Sequence, residues 1–319
     1  MSRNGMAAAA LCGAIGAGFY LIALTRAPEP LASLILILMA QLSLFTPGLW
    51  LGAGAAGLAA LVATVILLAA AGATSAVFFA AVMAVPAVVL VRQALLRRRR
   101  GDGAVEWYPP GLLAAWLTGL ALVGTGLGVV LAGGPHGLET LVRGVLDPVF
   151  ARLQETTGTV VADRAAIIRI LALILPGMSA MVWMMIVVTN GILAQGVLAR
   201  FGANQRPSPD IAALGLPLWM PVLFAAGAAA APLGGNARLF GVTVMILLAV
   251  PFCLAGLAVF HAAARRLKRP LPVFIVFYVL AALFGWPLLL AALLGLFDTT
   301  LGLRRRLGGG KSCGGQIDG

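Results

Sequence analysis

Long apolar runs dominate the chain and alternate with short polar or proline-containing breaks. Because a helix needs about 20 mostly apolar residues to cross a hydrocarbon core about 30 Å thick, each run is a candidate membrane span. The runs lie near residues 6–24, 31–45, 49–71, 75–96, 111–131, 167–194, 214–233, 239–264 and 271–297. The pattern predicts an all-α, polytopic transmembrane helix bundle of about eight to nine spans. We expect one integral membrane domain over 1–307 and a flexible tail over 308–319.

Residues 138–153 show a different pattern, with apolar side chains on one helical face and polar side chains on the other. The apolar positions follow helical spacing and are Leu138, Leu141, Val142, Val145, Val149, Phe150 and Leu153. Pro148 is expected to bend the helix. The segment predicts an amphipathic interfacial helix outside the bilayer, either a connector buried among lipid headgroups or a lid over the bundle.

The last apolar run leaves the topology of the C-terminal region open. Residues 271–297 would form a helix of about 40 Å, and Gly285-Trp286-Pro287 interrupts it. One interpretation is a single tilted helix kinked at Pro287, and the other is a re-entrant hairpin of two half-length helices. In a third, the short second run does not span. The arginines Arg304–Arg306 favour a cytoplasmic tail.

Basic clusters set the predicted orientation. With the N-terminus in the cytoplasm, the clusters Arg97–Arg100 and Arg265–Arg269 and the loop residues Arg200 and Arg206 all fall on the cytoplasmic side. That distribution is what the positive-inside rule requires. We therefore expect a multi-pass protein of the bacterial inner membrane, with residues 6–24 retained as its first helix rather than cleaved as a signal peptide.

Composition excludes several classes of protein. Of 319 residues, 61% are hydrophobic and 10% are charged, whereas soluble domains have about 45–50% apolar and about 25% charged residues. The net charge of +12 sits at helix ends, which indicates contact with anionic lipid and no nucleic-acid partner. Three scattered cysteines are too few for a disulfide scaffold or a cysteine metal site.

The apolar runs contain little catalytic chemistry. No Asp, Glu or Lys lies deep in a run, and His136 and His261 have no ligand-spaced partner. The sequence therefore predicts no enzyme, no metal site and no cofactor. The polar residues inside the runs are Gln41, Ser43, Thr118, Thr125, Ser179, Asn190 and Gln195. They serve either interhelical hydrogen bonding or a pocket in which Gln41 and Asn190 bind a small solute.

Small residues recur every four positions on two of the predicted helices. Ala10, Ala14 and Gly18 share one face of the first helix, and Ala55, Ala59 and Ala63 share one face of the third. Such stripes allow helices to approach closely, within the chain or at a partner protein. We predict Ala10, Ala14 and Gly18 as partner-packing residues.

Motifs in the C-terminal half carry a family resemblance. They are Pro176, Asn190, Ala194-Gln195, Leu216–Trp219, Ala255–Val259, Gly295–Asp298, Leu303 and Arg304–Arg306. Together they resemble the YybS-like family of uncharacterised polytopic bacterial membrane proteins, most sharply over 170–306. The resemblance transfers no catalytic or binding residue.

The same resemblance implies a membrane fold distantly similar to the substrate-binding subunits of energy-coupling-factor vitamin transporters. Those subunits dock a membrane partner through a small-residue face on their first helix, and Ala10, Ala14 and Gly18 would match that face. The present chain has more apolar runs than those subunits have spans, and it lacks a nucleotide-binding motif. Energy for transport would then come from partner proteins.

Two functional hypotheses follow. The first is a transport-related protein that binds a small neutral or weakly polar solute within the helix bundle. The alternative is a membrane scaffold or assembly protein that docks partner membrane proteins without a small-molecule ligand.

Overall fold

The computed structural model describes residues 2–25, 29–99, 101, 103–158, 161–209 and 214–302. Within these residues the chain is helical apart from loops and one short hairpin of β1 (Arg97–Arg99) and β2 (Val105–Trp107). The helices are α1 (Arg3–Thr25), α2 (Pro30–Leu51), α3 (Ala53–Phe79), a π-helix (Ala80–Ala84), α4 (Val85–Ala94), α5 (Pro110–Leu131), α6 (Gly134–Thr157), α7 (Arg164–Arg200), α8 (Trp219–Ala230), α9 (Gly235–Ala264), α10 (Pro270–Phe284) and α11 (Trp286–Leu301). The arginines Arg304–Arg306 and the predicted tail over 308–319 lie outside the described residues.

Six helical stretches among the described residues are long and apolar enough to cross a membrane. They are α1, α2, the stretch Ala53–Ala94, α5, α7 and α9, and a seventh is obtained if α10 and α11 count as one bent span. The prediction of an all-α protein with several apolar helices is therefore confirmed. The finer count of about eight to nine spans stays a prediction.

The end of the second helix differs from the end that the apolar pattern predicts, whereas the break after the third run does not. The second run continues through Pro47 to Leu51, because a proline removes only one backbone donor from a helix whose other hydrogen bonds persist. The third and fourth runs lie on either side of a break at Gly72, where φ is 82°, within the stretch Ala53–Ala94. The predicted boundary between residues 71 and 75 coincides with this break.

The last apolar run forms two helices rather than one straight element. The axes of α10 and α11 are bent by 114°. The break falls at Gly285, whose φ of 70° is in the left-handed region that glycine tolerates. Pro287 lies in the first turn of α11, where its missing N–H costs nothing. The turn is therefore encoded by the glycine, with the proline starting the next helix.

The chain divides into two compact units. Unit 1 comprises 1–124 and 180–209, and unit 2 comprises 125–179 and 210–319. In unit 1, α1 packs against α2 and α3 through buried small residues, and Tyr20 meets Phe79 edge-to-face at 5.1 Å between ring centroids. In unit 2, α9 is the most buried helix and packs against α8 and α11.

The segment 138–153 is helical, within α6, and contains Pro148 as an internal residue. Its buried side chains Leu138, Val142 and Phe150 form a cluster in unit 2 with Ile168, Ala172 and Leu239. Leu141, Val145 and Val149, which the periodicity places on the same apolar face, are exposed. Packing against α7 and α9 therefore covers only one edge of the predicted apolar face, and the interfacial position of this helix stays a prediction.

Candidate functional site

Two amide side chains in unit 1 form a buried pair. Gln41 lies on α2 and Asn190 on α7, and their side chains are 1% and 0% exposed. The Nδ2 group of Asn190 donates a hydrogen bond to Oε1 of Gln41 over 3.0 Å, across 149 residues of sequence. The structure thus brings the two residues together through an interhelical hydrogen bond, which is one of the two roles predicted for them, and solute binding stays a prediction.

The hydrogen bond between the two amides leaves one donor atom and one acceptor atom without a partner. Nε2 of Gln41 and Oδ1 of Asn190 are buried and have no hydrogen-bond partner among the described residues. Exchanging the oxygen and nitrogen of both amides leaves the same balance, so this result does not depend on how the amides are assigned. Each unsatisfied buried group costs about 1–3 kcal/mol, which a molecule offering a matching acceptor and donor would recover.

The residues next to the pair along α2 and α7 are apolar and buried. Ala40, Leu44 and Phe45 on α2 are buried beside Gln41. On α7, Val187 and Ala194 are buried one turn to either side of Asn190. In such surroundings a charged molecule would lose its hydration without a counter-charge, so the amides suit a neutral one.

Most of the other polar residues predicted inside the runs bond to their own helix. Thr118 Oγ1 donates to the Ala114 carbonyl over 2.8 Å, Ser43 Oγ to Ala40 over 2.7 Å, and Ser179 Oγ to Leu175 over 2.7 Å. These local bonds satisfy the hydroxyl groups without a partner helix. Gln41 and Asn190 differ from these three residues because their side chains bond to each other between two helices.

Arg206 is a buried charge that the sequence does not single out. Its side chain is 5% exposed, and Nη1 and Nη2 donate to the carbonyls of Ala94 and Tyr108 over 3.0 Å and 2.8 Å. Ala94 ends α4, where unpaired carbonyls carry the negative end of the helix dipole. Burial lowers the pKa of the Arg206 guanidinium.

Neighbouring amides fix the loop that carries Arg206. Gln195 and Asn204 both donate to the Arg206 carbonyl over 2.7 Å, and Gln205 Nε2 donates to the Trp50 carbonyl at the end of α2 over 2.8 Å. Gln195, one of the predicted polar residues, therefore anchors a loop. The guanidinium and these amides tie the loop after α7 to helix ends within unit 1.

The π-helix carries a third polar contact in unit 1. The carbonyl of Val82 cannot bond to residue 86 in the usual way, because Pro86 has no N–H. The indole Nε1 of Trp183 donates to this carbonyl over 2.8 Å. A side chain of α7 therefore compensates for the proline, and π-helical turns of this kind are frequent at functional sites.

The small-residue stripes have different environments. Ala55, Ala59 and Ala63 are fully buried, and a Cβ added to Gly13 would overlap the Ala59 carbonyl, so α1 and α3 meet closely there. Ala10, Ala14 and Gly18 are half-buried, and a Cβ added to Gly18 would meet no atom within 4 Å. Gly13 therefore belongs to the contact between α1 and α3 within the chain. The predicted partner-packing residues Ala10, Ala14 and Gly18 lie beside Gly13 on α1.

No group of three or more His, Cys, Asp or Glu residues in the described part of the chain is arranged to hold a metal ion. Asp298 on α11 is nevertheless buried, although it lies only one turn from the end of the helix. Asp298 belongs to unit 2, and its burial is accompanied by an interaction with another group.

These features define a polytopic membrane protein with apolar helices and a buried amide pair. The chain belongs to the predicted membrane protein family DUF2232, whose model matches residues 18–299. The chain matches no curated protein and no solved structure. The resemblance to an uncharacterised polytopic membrane family is therefore confirmed, while the likeness to energy-coupling-factor subunits stays a prediction.

Proposed function

We propose that the chain is a transport-related membrane protein that binds a small neutral or weakly polar solute at Gln41 and Asn190. The observation that carries the proposal is the buried amide pair with its unused Nε2 donor and Oδ1 acceptor. Native proteins rarely leave such groups unsatisfied in the interior without a reason. A solute with an adjacent acceptor and donor, such as a carboxamide, a urea or an alcohol, would complete both hydrogen bonds.

Uptake by cells that lack this protein tests the proposal. Radiolabelled uncharged amides, ureas, pyrimidines and polyols are supplied to the deletion strain and to strains expressing the wild type, Asn190→Leu or Gln41→Met. We expect one solute to be taken up with the wild type and at least about tenfold less with either variant, since each removes a hydrogen bond worth about 1.4 kcal/mol.

The matched control for uptake is Thr118→Val. Thr118 is also a fully buried polar residue of unit 1, but it bonds only to its own helix. Its removal should leave uptake unchanged at equal expression. If no solute is taken up, or if Thr118→Val lowers uptake as much as Asn190→Leu, the amide pair has no special role.

The alternative is a scaffold that docks a partner membrane protein. The half-buried stripe of Ala10, Ala14 and Gly18, with open space at Gly18, favours it. Co-purification with an ATPase and a coupling membrane subunit would also support the likeness to vitamin-transporter subunits. That association should be lost in Gly18→Trp and retained in Gly119→Trp, whose Cβ likewise meets open space.

We also propose the finer topology of about eight to nine spans in a bacterial inner membrane, with the N-terminus in the cytoplasm. The stretch Ala53–Ala94 has 42 residues, and a straight helix of that length would measure about 63 Å, twice the hydrocarbon core. The break at Gly72 suits a turn between two crossings. The exposed apolar residues of α6 suit an interfacial position.

The side of the C-terminus separates the two interpretations of α10 and α11. Their 114° bend favours a re-entrant pair, which returns the chain to the cytoplasm. In a background where Cys12, Cys253 and Cys313 are replaced, Arg305→Cys should be protected from a membrane-impermeant maleimide added outside. Labelling in intact cells would indicate a true crossing. The absence of enzymatic activity likewise stays a prediction.

A further inference from the structure

One strand edge in unit 1 carries a concentrated positive charge. Arg97, Arg98 and Arg99 form the whole of β1, and all three residues are exposed. β2 pairs with one side of β1, which places Arg97 opposite Trp107 and Arg99 opposite Val105. In the described part of the chain this sheet has two strands, so the other side of β1 is an open edge whose backbone groups can pair with a further strand.

Cross-strand contacts order two of the three arginine side chains. Nη2 of Arg98 lies 3.0 Å from Oε2 of Glu106, and the guanidinium carbon of Arg97 lies 5.8 Å from the centroid of the Trp107 ring. Because successive side chains of a strand point to opposite faces, Arg97 and Arg99 share the face that carries Trp107. The sequence of residues 97–107 contains four arginines and two acidic residues, which leaves a net charge of +2.

The base of the hairpin is held by the buried Arg206. Its Nη1 donates to the carbonyl of Ala94, which precedes the hairpin, and its Nη2 donates to the carbonyl of Tyr108, which follows the hairpin. A two-stranded hairpin with such short strands is marginally stable alone. Burying a guanidinium whose printed partners are carbonyls costs free energy, because its charge meets no carboxylate among the described residues. A costly contact therefore keeps a small exposed hairpin in one conformation.

A fixed basic edge strand fits an extended acidic segment. Such a segment can add to the open edge through backbone hydrogen bonds, while its carboxylates pair with arginine side chains. An anionic lipid headgroup would neutralise the charge but would leave the backbone edge unused. The chain itself contains no acidic run, because its ten acidic residues lie at least four positions apart, and residues 303–319 hold four basic residues and one acidic residue. The occupant is therefore a segment of another protein.

We propose that the hairpin β1–β2 is a docking site for an extended acidic segment of a partner protein. The segment adds to the open edge of β1 as a third strand, and its carboxylates pair with Arg97 and Arg99 on one face of the sheet. Because Arg206 fixes the hairpin before binding, docking orders few additional groups of this chain. Docking at the hairpin does not depend on solute binding at Gln41 and Asn190.

The direct test is a titration of the purified full-length protein in neutral detergent, followed by fluorescence anisotropy of a labelled octapeptide that alternates Glu and Thr. The control peptide has the same sequence with every internal backbone nitrogen methylated, so it keeps the carboxylates but cannot donate edge hydrogen bonds. We expect the unmodified peptide to bind at least about tenfold more tightly. Absence of binding, or equal binding of the two peptides, would overturn the proposal without any protein variant.

Two double variants test the role of the arginine side chains. Arg97→Gln/Arg99→Gln leaves the pair of Arg98 with Glu106 intact and should weaken peptide binding at least about tenfold. The matched control is Arg265→Gln/Arg269→Gln, which removes two exposed arginines after α9 and should change binding less than about twofold. Equal losses in the two double variants would indicate general electrostatic attraction and contradict a site on the hairpin.

Arg206→Met tests whether the fixed base of the hairpin matters. This substitution leaves the charge of the hairpin unchanged and removes both hydrogen bonds to its base. At a temperature where the variant is folded by circular dichroism, we expect peptide binding to weaken at least about fivefold. Unchanged binding would contradict the role of Arg206 in docking. The arginine double variants test the site even if Arg206→Met does not fold.

A soluble anion distinguishes a protein segment from a lipid headgroup as the occupant. Millimolar glycerol phosphate, added at constant ionic strength, carries the phosphate chemistry of an anionic headgroup. We expect the peptide to stay bound, because a single phosphate group cannot replace the backbone hydrogen bonds of a strand. Displacement of the peptide would identify the hairpin as a contact for phosphate headgroups and overturn the proposal.

Discussion

The two compact units both contain close glycine contacts between helices, and they differ in the polar contacts that join distant elements. In unit 1, polar side chains reach backbone or side-chain partners far along the sequence, as Asn190 does to Gln41, Arg206 to Ala94 and Trp183 to Val82. In unit 2, α9 and α11 meet backbone to backbone, because a Cβ added to Gly256 or Gly295 would overlap a main-chain carbonyl of the other helix.

This difference has a functional consequence. Glycine contacts supply proximity and dispersion energy, and they leave no polar atom for chemistry. Amide and guanidinium contacts cost more to bury, and an incompletely satisfied amide can bind a ligand. Among the described residues, Gln41 and Asn190 in unit 1 form an adjacent pair in which one donor atom and one acceptor atom have no partner. We therefore place the candidate solute site there.

The largest effect is expected at the contact of α9 with α11. Gly256→Ala would place a methyl group on the Ala291 carbonyl, and the helices would have to separate. We expect a loss of about 3 kcal/mol in the free energy of unfolding, measured in mixed micelles with increasing SDS. Gly124→Ala is the matched control, since its Cβ meets nothing within 4 Å. Similar stability of the two variants would refute the close contact.

The next effect is expected at Arg206. Arg206→Met removes the donors to the Ala94 and Tyr108 carbonyls and should lower the free energy of unfolding by about 2 kcal/mol. It should also accelerate proteolysis of the loop after α7. Arg200→Met, at an exposed arginine in the same region, should change neither measurement. Equal effects of the two substitutions would show that Arg206 is not an anchor.

A double-mutant cycle sharpens the comparison at the amide pair. Gln41→Met and Asn190→Leu should each cost about 1–2 kcal/mol, because each leaves the other amide buried without its partner. The double variant should cost less than the sum, with a coupling energy of about 1 kcal/mol. Additive effects in the unfolding titration would mean that the two side chains do not interact.

The smallest effect is expected at the π-helix. Trp183→Phe keeps an aromatic ring but removes the donor to the Val82 carbonyl, which should cost about 1 kcal/mol. Trp116→Phe removes an exposed indole donor, 3.0 Å from the Tyr108 hydroxyl, and should cost less than about 0.5 kcal/mol. If thermal unfolding ranks the two variants the other way, the contact at Val82 is not stabilising.

The apolar pattern predicts the class of fold well and the turns less well. Long apolar runs dictate membrane helices because of the thickness of the hydrocarbon core, which is a local property of the sequence. Pro47 and Gly285-Pro287 carry similar local signals, yet α2 continues through Pro47 and the chain turns at Gly285. The outcomes differ because Gly285 adopts a φ of 70°, which glycine tolerates, whereas α2 stays helical through Pro47.

The two residues of the candidate site could be predicted from the sequence, but their direct hydrogen bond could not. An amide within an apolar run is unusual enough to notice, so Gln41 and Asn190 stand out individually. Their contact depends on the packing of α2 and α7, which the sequence does not specify. In the sequence Arg206 resembles any other loop arginine, and only the folded loop, held through Gln195 and Asn204, buries it.

The most direct test of the central claim is solute-dependent stabilisation of the purified protein. A solute that binds the folded state raises the free energy of unfolding by about 2.7 kcal/mol at 100 times its dissociation constant. We predict that at least one uncharged amide, urea, pyrimidine or polyol raises the melting temperature of the wild type and has no effect on Asn190→Leu. The claim is contradicted if none of these solutes stabilises the wild type, or if Asn190→Leu responds equally.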